Sequence, residues 1–484
     1  MQKQFFNKTR QILSVFILLC LGNACSQTES PQVKVTHFIS RRGDTLYDGE
    51  IEFRFISLNV PNFHIVEDPA GPKGEAWHRI TEFEQKDILK TIRILGGRVL
   101  RMYTFSVIGG RNNTKELSHI QGIDPATDKP TFNEELFRDL DRGLKLAREE
   151  GIRVIIPLVD NWDWFGGDAQ WAALRQKPEK AFYYDPQCKE DFKYFIFWLL
   201  NRKNTLTGLA YKDDPTIFCW ELGNELADAP DAWLSEIAAY IKSVDPNHLI
   251  MDGQYQGYSF RNICLTDPHI DIVTMHYIYP FKNLASQAKG KKPFILGEFF
   301  ETRRTIEKVL DDVIKQGLAG ALLWSLRFHT GEGGFYYHSD FNGSSDSFQF
   351  PGHKNGCPSS EDEILDILRQ KAYQIQNQTV PPLPAPEPPR LLPIHDPSWI
   401  CWLGSVGALS YELERATSLD GPWEVIGKNL SENKKTTHPK IGVEVAALPL
   451  FADKTAEPGQ TYYYRLRAYN ASGYSAWSEV IRAE

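Results

Sequence analysis

Between residues 53 and 323 the chain alternates short apolar runs with stretches whose apolar residues recur every three or four positions. The runs are Phe53 to Val60, Arg98 to Phe105, Arg153 to Val159, Thr216 to Leu222, Leu249 to Asp252, Asp271 to Met275, Pro293 to Leu296 and Gly320 to Leu323. Each is rich in β-branched or aromatic residues and predicts a buried strand. The intervening patterns predict amphipathic helices with glycine stops: Ile88, Leu89, Ile92 and Leu95 before Gly96-Gly97, and Leu136, Phe137, Leu140, Leu144 and Ala147 before Gly151. Strand followed by helix, repeated eight times, predicts a parallel sheet closed into a (β/α)8 barrel, the TIM barrel, rather than an open doubly wound sheet. No glycine-rich phosphate loop follows the first strand, which further disfavours a dinucleotide fold. Upstream, Phe38-Ile39-Ser40, a turn at Arg42-Gly43-Asp44 and Thr45-Leu46-Tyr47 predict a hairpin capping the bottom of the barrel.

The pattern changes after a last helix over Ser359 to Gln376. Val380-Pro-Pro-Leu-Pro-Ala-Pro-Glu-Pro-Pro must be extended and predicts a semi-rigid spacer. Beyond it come closely spaced strands, Trp399 to Trp402, Tyr411 to Arg415, Trp423 to Ile426, Thr461 to Tyr469 and Ser478 to Arg482, the pattern of a small all-β sandwich. Trp402, Ser410-Tyr-Glu-Leu-Glu-Arg and Thr461-Tyr-Tyr-Tyr-Arg-Leu-Arg-Ala-Tyr-Asn give this part a resemblance to fibronectin type III modules. The expected organisation is a barrel over 38–377, a linker over 378–390 and the module over 391–484. Trp399, Trp402, Trp423 and Tyr462 to Tyr464 are assigned to the module's core.

At the N-terminus, Lys3, Lys8 and Arg10 precede an apolar run from Ile12 to Leu21, an export signal too short to span as a permanent helix. Gly22, Asn23 and Ala24 before Cys25 resemble the lipobox of bacterial lipoproteins, with Leu21 one place earlier than usual. This implies a signal peptide over 1–24, lipidation of Cys25, a polar tether over 25–37 and a membrane-anchored, exported protein. The other cysteines, Cys20, Cys188, Cys219, Cys264, Cys357 and Cys401, lack CxxC spacing, so neither a zinc ribbon nor a disulfide framework is indicated. A net charge of −8, from 62 acidic and 54 basic residues, argues against a nucleic-acid partner that needs a basic face. The 12 tryptophans suit both a large core and a surface that stacks sugar rings.

In such a barrel, side chains at the carboxyl ends of the strands converge on one face. Strand four ends Trp220-Glu-Leu-Gly-Asn-Glu225 and strand seven ends Leu296-Gly-Glu298. A buried ionisable group costs several kcal/mol unless paired, so two glutamates aimed into one cavity require a reason. From spacing alone they are either a general-acid and nucleophile pair, or strand-terminal caps or partners of Arg101 and Arg327.

Context favours the first. Asn201 to Glu225, with Asp160-Asn-Trp162 and Phe165-Gly-Gly, resembles glycoside hydrolase family 5, specifically its β-mannanase branch. Arg101, Asp245-Pro-Asn-His-Leu, Thr274-Met-His276, Gly297-Glu298 and Trp324 extend the resemblance from Phe53 to about Gln376. It implies that Glu225 is the acid/base and Glu298 the nucleophile of a retaining hydrolysis of β-1,4-mannosidic bonds, with no metal or cofactor. The charge of Glu298 is expected to raise the pKa of Glu225. By the same resemblance Arg101 orients Glu298, Asn224 contacts the sugar 2-hydroxyl, His276 lies near the acid and Trp324 is the platform under the sugar. Trp162 and Trp164 are expected to line neighbouring subsites. The family's supporting tyrosine is displaced in His276-Tyr277-Ile278-Tyr279-Pro280; Tyr279 keeps the Tyr-Pro pair and is the choice over Tyr277. The loop His329-Thr-Gly-Glu-Gly-Gly-Phe-Tyr-Tyr-His338 reads as a mobile wall over the cleft, able to close one end and convert endo into exo action. The expected partners are a β-mannan or related β-glycan and a membrane, with the chain acting as a monomer. A different β-glycanase or an exo-mannosidase is the alternative within this class. A non-catalytic glycan-binding lipoprotein is the alternative outside it, disfavoured because a pure binder has no need of both glutamates.

Overall fold

The computed structural model describes residues 35–67, 77–111, 114–336, 347–354, 359–437 and 444–483. The expected signal peptide, Cys25, most of the tether, and Tyr337 and His338 of the loop after strand eight lie outside the described residues.

Eight parallel strands form the central sheet: β1 (Phe55–Asn59), β2 (Val99–Arg101), β3 (Arg153–Pro157), β4 (Ile217–Glu221), β5 (Leu249–Met251), β6 (Val273–His276), β7 (Phe294–Phe299) and β8 (Gly320–Leu323). Neighbours in sequence are neighbours in the sheet, and β8 pairs with β1. A parallel bridge between Met251 and Ile272 links β5 to the start of β6 and closes the ring. The expected (β/α)8 barrel is therefore the fold. Several strands are shorter than their apolar runs, because Met102 to Phe105 and Leu158 to Val159 leave the ladder while remaining buried in the loops above it.

One main helix follows each strand: α1 (Glu82–Ile94), α2 (Glu134–Glu150), α3 (Pro186–Asn201), α4 (Asp231–Val244), α5 (Asn262–Thr266), α6 (Lys282–Ala288), α7 (Ile306–Lys315) and α8 (Glu361–Gln374), with two short helices, Asp168–Ala173 and Ala181–Tyr184, leading into α3. Local chemistry sets their ends. Thr81 caps α1 and forms a capping box with Glu84. Asn133 caps α2, and Gly151, at φ 72°, takes the left-handed conformation that ends it. Asp185 caps α3 with Pro186 in its first turn.

The barrel interior is filled by Phe55, Val99, Ile155, Phe218, Cys219, Met251, Ile272, Ile295 and Leu322, joined from below by Ile39 and Leu46. Those two belong to the N-terminal hairpin of Ile39–Arg42 and Thr45–Asp48, which caps the bottom as predicted. Salt bridges from Arg153 to Asp48 and from Arg41 to Asp271 hold it there. The sequence did not suggest the hairpin of Ile120–Asp124 and Lys129–Phe132 inserted between β2 and α2.

The C-terminal part is all-β and antiparallel: β9 (Ser410–Ala416), β10 (Glu424–Leu430), β11 (Tyr463–Asn470), β12 (Gly473–Tyr474) and β13 (Ile481–Arg482), with β9 and β11 central. Trp402, Tyr411, Leu413, Tyr464 and Leu466 are buried together in its core. Trp399, expected there, is 54% exposed. Trp423 is half-buried and carries Arg465 on its ring at 4.3 Å. Tyr463 is likewise only half-buried, because alternation along β11 turns it away from the core that its neighbours face. The proline-rich stretch is tacked to both sides rather than standing free. Arg369 donates to the carbonyl of Pro381 at 2.5 Å, and Asn470 to that of Pro384 at 2.8 Å.

Candidate active site

Every side chain that converges on the open end of the barrel comes from a strand terminus or the loop just after it. Arg101, the last residue of β2, is fully buried and uses all five of its N–H donors. Nε and Nη2 grip Glu221, at the end of β4, at 2.7 and 3.0 Å. Nη2 also reaches Oδ1 of Asn224 at 2.8 Å, and Nη1 donates to Oδ1 of Asn59 at 3.2 Å and to Oε1 of Glu298 at 2.7 Å. Burial opposes the guanidinium charge, but Glu221 and Glu298 outweigh it and raise the Arg101 pKa further. A fully donated fork of this kind fixes position as well as charge.

Two more side chains complete the floor. Asn59 donates to the carbonyls of Gly297 and Leu322 at 3.0 and 3.2 Å, so its oxygen must face Arg101. Asn224 donates to Oδ1 of Asp160 at 3.0 Å and to the Tyr103 hydroxyl at 3.1 Å. Burial pushes Asp160 up to about 8.

Glu225 and Glu298 come together as the sequence predicts. One oxygen of each, with a ring nitrogen of His276, lies within 4.8 Å of the others. Glu225 adopts φ 55°, a left-handed conformation costly for a side chain with a Cβ, and this turns it back over the cavity. Its Oε2 accepts from the indole of Trp162 at 2.6 Å, and its Oε1 lies 2.9 Å from Nδ1 of His276. Nδ1 is also 3.4 Å from Oε1 of Glu298, so it is the nitrogen that carries the proton; Nε2 has no hydrogen-bond partner among the described residues. Burial lowers the His276 pKa to about 4, making it a neutral donor.

Burial raises the pKa of Glu225 to about 7, while the Trp162 hydrogen bond and the Arg101 charge pull it down. The main cause is thus desolvation rather than the expected repulsion by Glu298. Burial pushes Glu298 up as well, and there the charge of Glu225 adds to it. Arg101, at 2.7 Å, opposes this and favours the ionised form of Glu298. Two carboxyls coupled in this way lose their protons in two separate steps that belong to the pair.

The tyrosine beside Glu298 is Tyr277, which corrects the choice of Tyr279. The Tyr277 side chain hydrogen-bonds the Glu298 carboxyl, and its backbone N–H donates to the Glu298 carbonyl at 2.8 Å. Tyr277 sits at φ 48°, and that turn aims it into the cleft. The Tyr279 hydroxyl instead donates to Asp312 of α7 at 2.7 Å.

Aromatic rings frame the carboxyls. Trp324, directly after β8, is buried against Tyr103 and Trp164, with ring centroids 6.2 and 6.4 Å away. Trp162 is 42% exposed and meets Tyr255 edge-on at 5.7 Å. Sequence reasoning gave no role to Glu221, Asn59, Tyr103 or Tyr255, and quoted Asp160 only as part of a motif. Glu221 had a usable signal, an acid ending the same apolar run that leads to Glu225. The described part of the loop after β8 is no free wall: Phe335 and Tyr336 are buried, and Phe335 packs on Ala446 of the C-terminal module.

Glu225, His276 and Glu298 are also the one group among the described residues close enough to share a metal ion. Their carboxylate and imidazole atoms already hydrogen-bond to Arg101, Trp162 and one another.

Known proteins place this geometry in context. The chain is 38% identical over 189 residues to mannan endo-1,4-beta-mannosidase 1 of Oryza sativa subsp. japonica, covering 36% of this chain and 41% of that relative. It is 27% identical over 383 residues to mannan endo-1,4-beta-mannosidase 1 of Solanum lycopersicum, covering 66% of this chain and 89% of the relative. The matched segments thus span 41% or less of the length of the rice enzyme and of a similar protein from Arabidopsis thaliana. The endo-1,4-beta-mannanase of Rhizomucor miehei shares the barrel fold, with a TM-score of 0.57 at 22% identity over 70% of this chain and 100% of that one. The endo-beta-1,4-mannanase of Thermotoga petrophila aligns over 90% of this chain and 98% of its own, with a TM-score of 0.52 at 19% identity. Residues 107–292, which carry Trp162, Asn224, Glu225 and His276, match the family described as GH family 5 beta-mannosidase-like.

Proposed function

We propose that the chain is a glycoside hydrolase that cleaves β-1,4-mannosidic bonds within mannan-type polysaccharides, retaining the anomeric configuration by double displacement. The observation that carries this reading is the pair Glu225 and Glu298, with carboxyl oxygens inside 4.8 Å beside Trp162 and Trp324, and with Glu225 and His276 inside the segment that matches a mannosidase-like family. Retaining glycosidases hold their carboxyls about 5–5.5 Å apart, whereas inverting enzymes leave about 6.5–9.5 Å for a water molecule.

In this reading Glu298, ionised and aimed by Arg101 and Tyr277, attacks the anomeric carbon. Glu225, with its pKa at about 7, protonates the departing oxygen. Having given its proton to the leaving group, Glu225 is left as a carboxylate and becomes the base that activates water for attack on the Glu298 ester. Trp324 supplies an apolar face for the C–H side of the pyranose. The same proposal takes the C-terminal part as fibronectin type III-like and anchors the exported protein to a membrane by a lipid on Cys25.

Incubation with mannan, glucomannan, cellulose and xylan, followed by product sizing over time, tests the reading. Mixed oligosaccharides from mannan support endo cleavage, a single small product points to exo action, and no turnover of any β-glycan refutes it. Labelling with a lipid precursor, compared with Cys25→Ser, tests the anchor.

A further inference from the structure

The segment after β8 presents Trp324 and then runs against the C-terminal module, and His329 on it joins the two parts. Its Nδ1 lies 2.7 Å from Oδ1 of Asp87 on α1, and its Nε2 lies 3.0 Å from Oε1 of Glu432 in the module. The His329 backbone N–H also donates to Asp87, at 3.1 Å. The Tyr411 hydroxyl donates to the same Glu432 oxygen and accepts from the backbone of Ser405 at 2.9 Å. All four side chains are buried. Burial alone would discharge the imidazole, but the two carboxylates outweigh it and hold the pKa up to about 10. His329 is thus a buried cation shared by barrel and module.

Packing around the cation is as close as backbone allows. A Cβ on Gly404 would stand 2.1 Å from Oε2 of Glu432 and 2.4 Å from Cδ2 of His329. On the segment itself, Gly333, at φ 99°, lies against the Trp402 carbonyl, where a Cβ would be 2.9 Å away. Phe335 stacks on the His329 ring with centroids 4.1 Å apart. Two residues before His329, Arg327 is fixed independently by Glu361 at 2.7 Å, both fully buried. The segment from Trp324 to Phe335 therefore has two buried ionic anchors, and one of them is complete only when the module is docked.

We propose that the C-terminal module works in cis as a clamp on the sugar platform. Glu432, with Asp87, fixes His329 and through it the segment that presents Trp324 to the cleft; all three are positioning residues. The proposal rests on the mannanase reading for its effect on substrate, but not for the clamp itself. The module's contribution to catalysis then needs no sugar site of its own.

The test uses the full chain with two variants, Glu432→Gln, which keeps the shape of the side chain, and Gly404→Ala, which wedges the contact from the module side. Hydrogen exchange should quicken about tenfold in residues 324–336 and stay unchanged in β3 and β4. KM for mannotetraose should rise about fivefold while kcat changes less than about twofold, since a ring platform binds ground and transition states alike. General destabilisation would instead lower the folded fraction and depress kcat without moving KM. Unchanged exchange over 324–336 in both variants overturns the clamp, whether or not the protein cleaves mannan. Faster exchange with unchanged KM in a mannan-cleaving protein overturns its link to the platform. If the wild type cleaves no β-glycan the mannanase reading fails, and exchange alone decides the clamp.

Discussion

The indole of Trp162 donates to Oε2 of Glu225 at 2.6 Å while its ring remains 42% exposed, so one side chain holds the candidate acid and faces the open cleft. A donor to a carboxylate favours the ionised form. Trp162 therefore opposes the burial that lifts the Glu225 pKa to about 7. In Trp162→Phe that restraint is lost, the pKa rises, and the basic limb of kcat/KM, where the acid loses its proton, moves to higher pH. A hydrogen bond to a charged group is worth about 1.5–3 kcal/mol, so kcat/KM should also fall at least about tenfold. A pH profile from 4 to 10 measures both effects, and a basic limb that stays or moves down would exclude this role.

Tyr277 and Tyr279 make opposite predictions. The Tyr277 hydrogen bond lowers the pKa of Glu298, so Tyr277→Phe raises it and moves the acidic limb of the profile, where the nucleophile becomes protonated, to higher pH. Tyr279→Phe loses only the bond to Asp312. It should leave both limbs in place and cost about 1 kcal/mol of stability. Matched profiles and thermal scans of the two variants separate them.

The difference between these tyrosines illustrates what the chain discloses by itself. The eight strands were legible because each is a dense apolar run between helix patterns, and Glu225 and Glu298 because an acid closing such a run stands out. The choice of Tyr277 over Tyr279 was not legible, since the aim of Tyr277 comes from a left-handed backbone turn while the Tyr-Pro pair is only a local pattern. Asn59 reads as one polar residue in a core strand until Arg101, 42 positions away, is seen against it. The His329–Glu432 contact spans 103 positions without any periodicity to announce it. Local pattern reports which face of an element is buried; partners across a barrel are fixed only by its closure.

Glu221 is the largest omission, and its removal should be felt first in folding. It takes two of the five donors of a fully buried Arg101. Breaking a buried ion pair from one side costs about 3–5 kcal/mol, because the remaining charge is stranded. In Glu221→Gln the amide keeps one acceptor, so a loss near about 3 kcal/mol is expected. With Arg101 no longer anchored on β4, mannan cleavage should fall more than stability explains. Thermal unfolding with rates taken well below the transition checks this; a stable variant with full activity would remove Glu221 from the site.

Gly297 lies one residue before Glu298 and is required by space rather than by its backbone angle. A Cβ there would meet Oγ1 of Thr274 at 2.4 Å and Nε2 of His276 at 2.7 Å. Gly297→Ala must therefore displace β6 or push His276 off Glu225, and overpacking of this kind costs about 1–3 kcal/mol. Adding Thr274→Ala removes the nearer clash and leaves the one with His276. The double variant should then regain most of the stability but little of the activity, because His276 Nδ1, 2.9 Å from Glu225, is the group still displaced. Thermal midpoints and kcat/KM for the single and double variants measure this directly. Parallel recovery of both would mean that the glycine serves packing alone, whereas recovery of stability only assigns it to the placement of His276 against the acid.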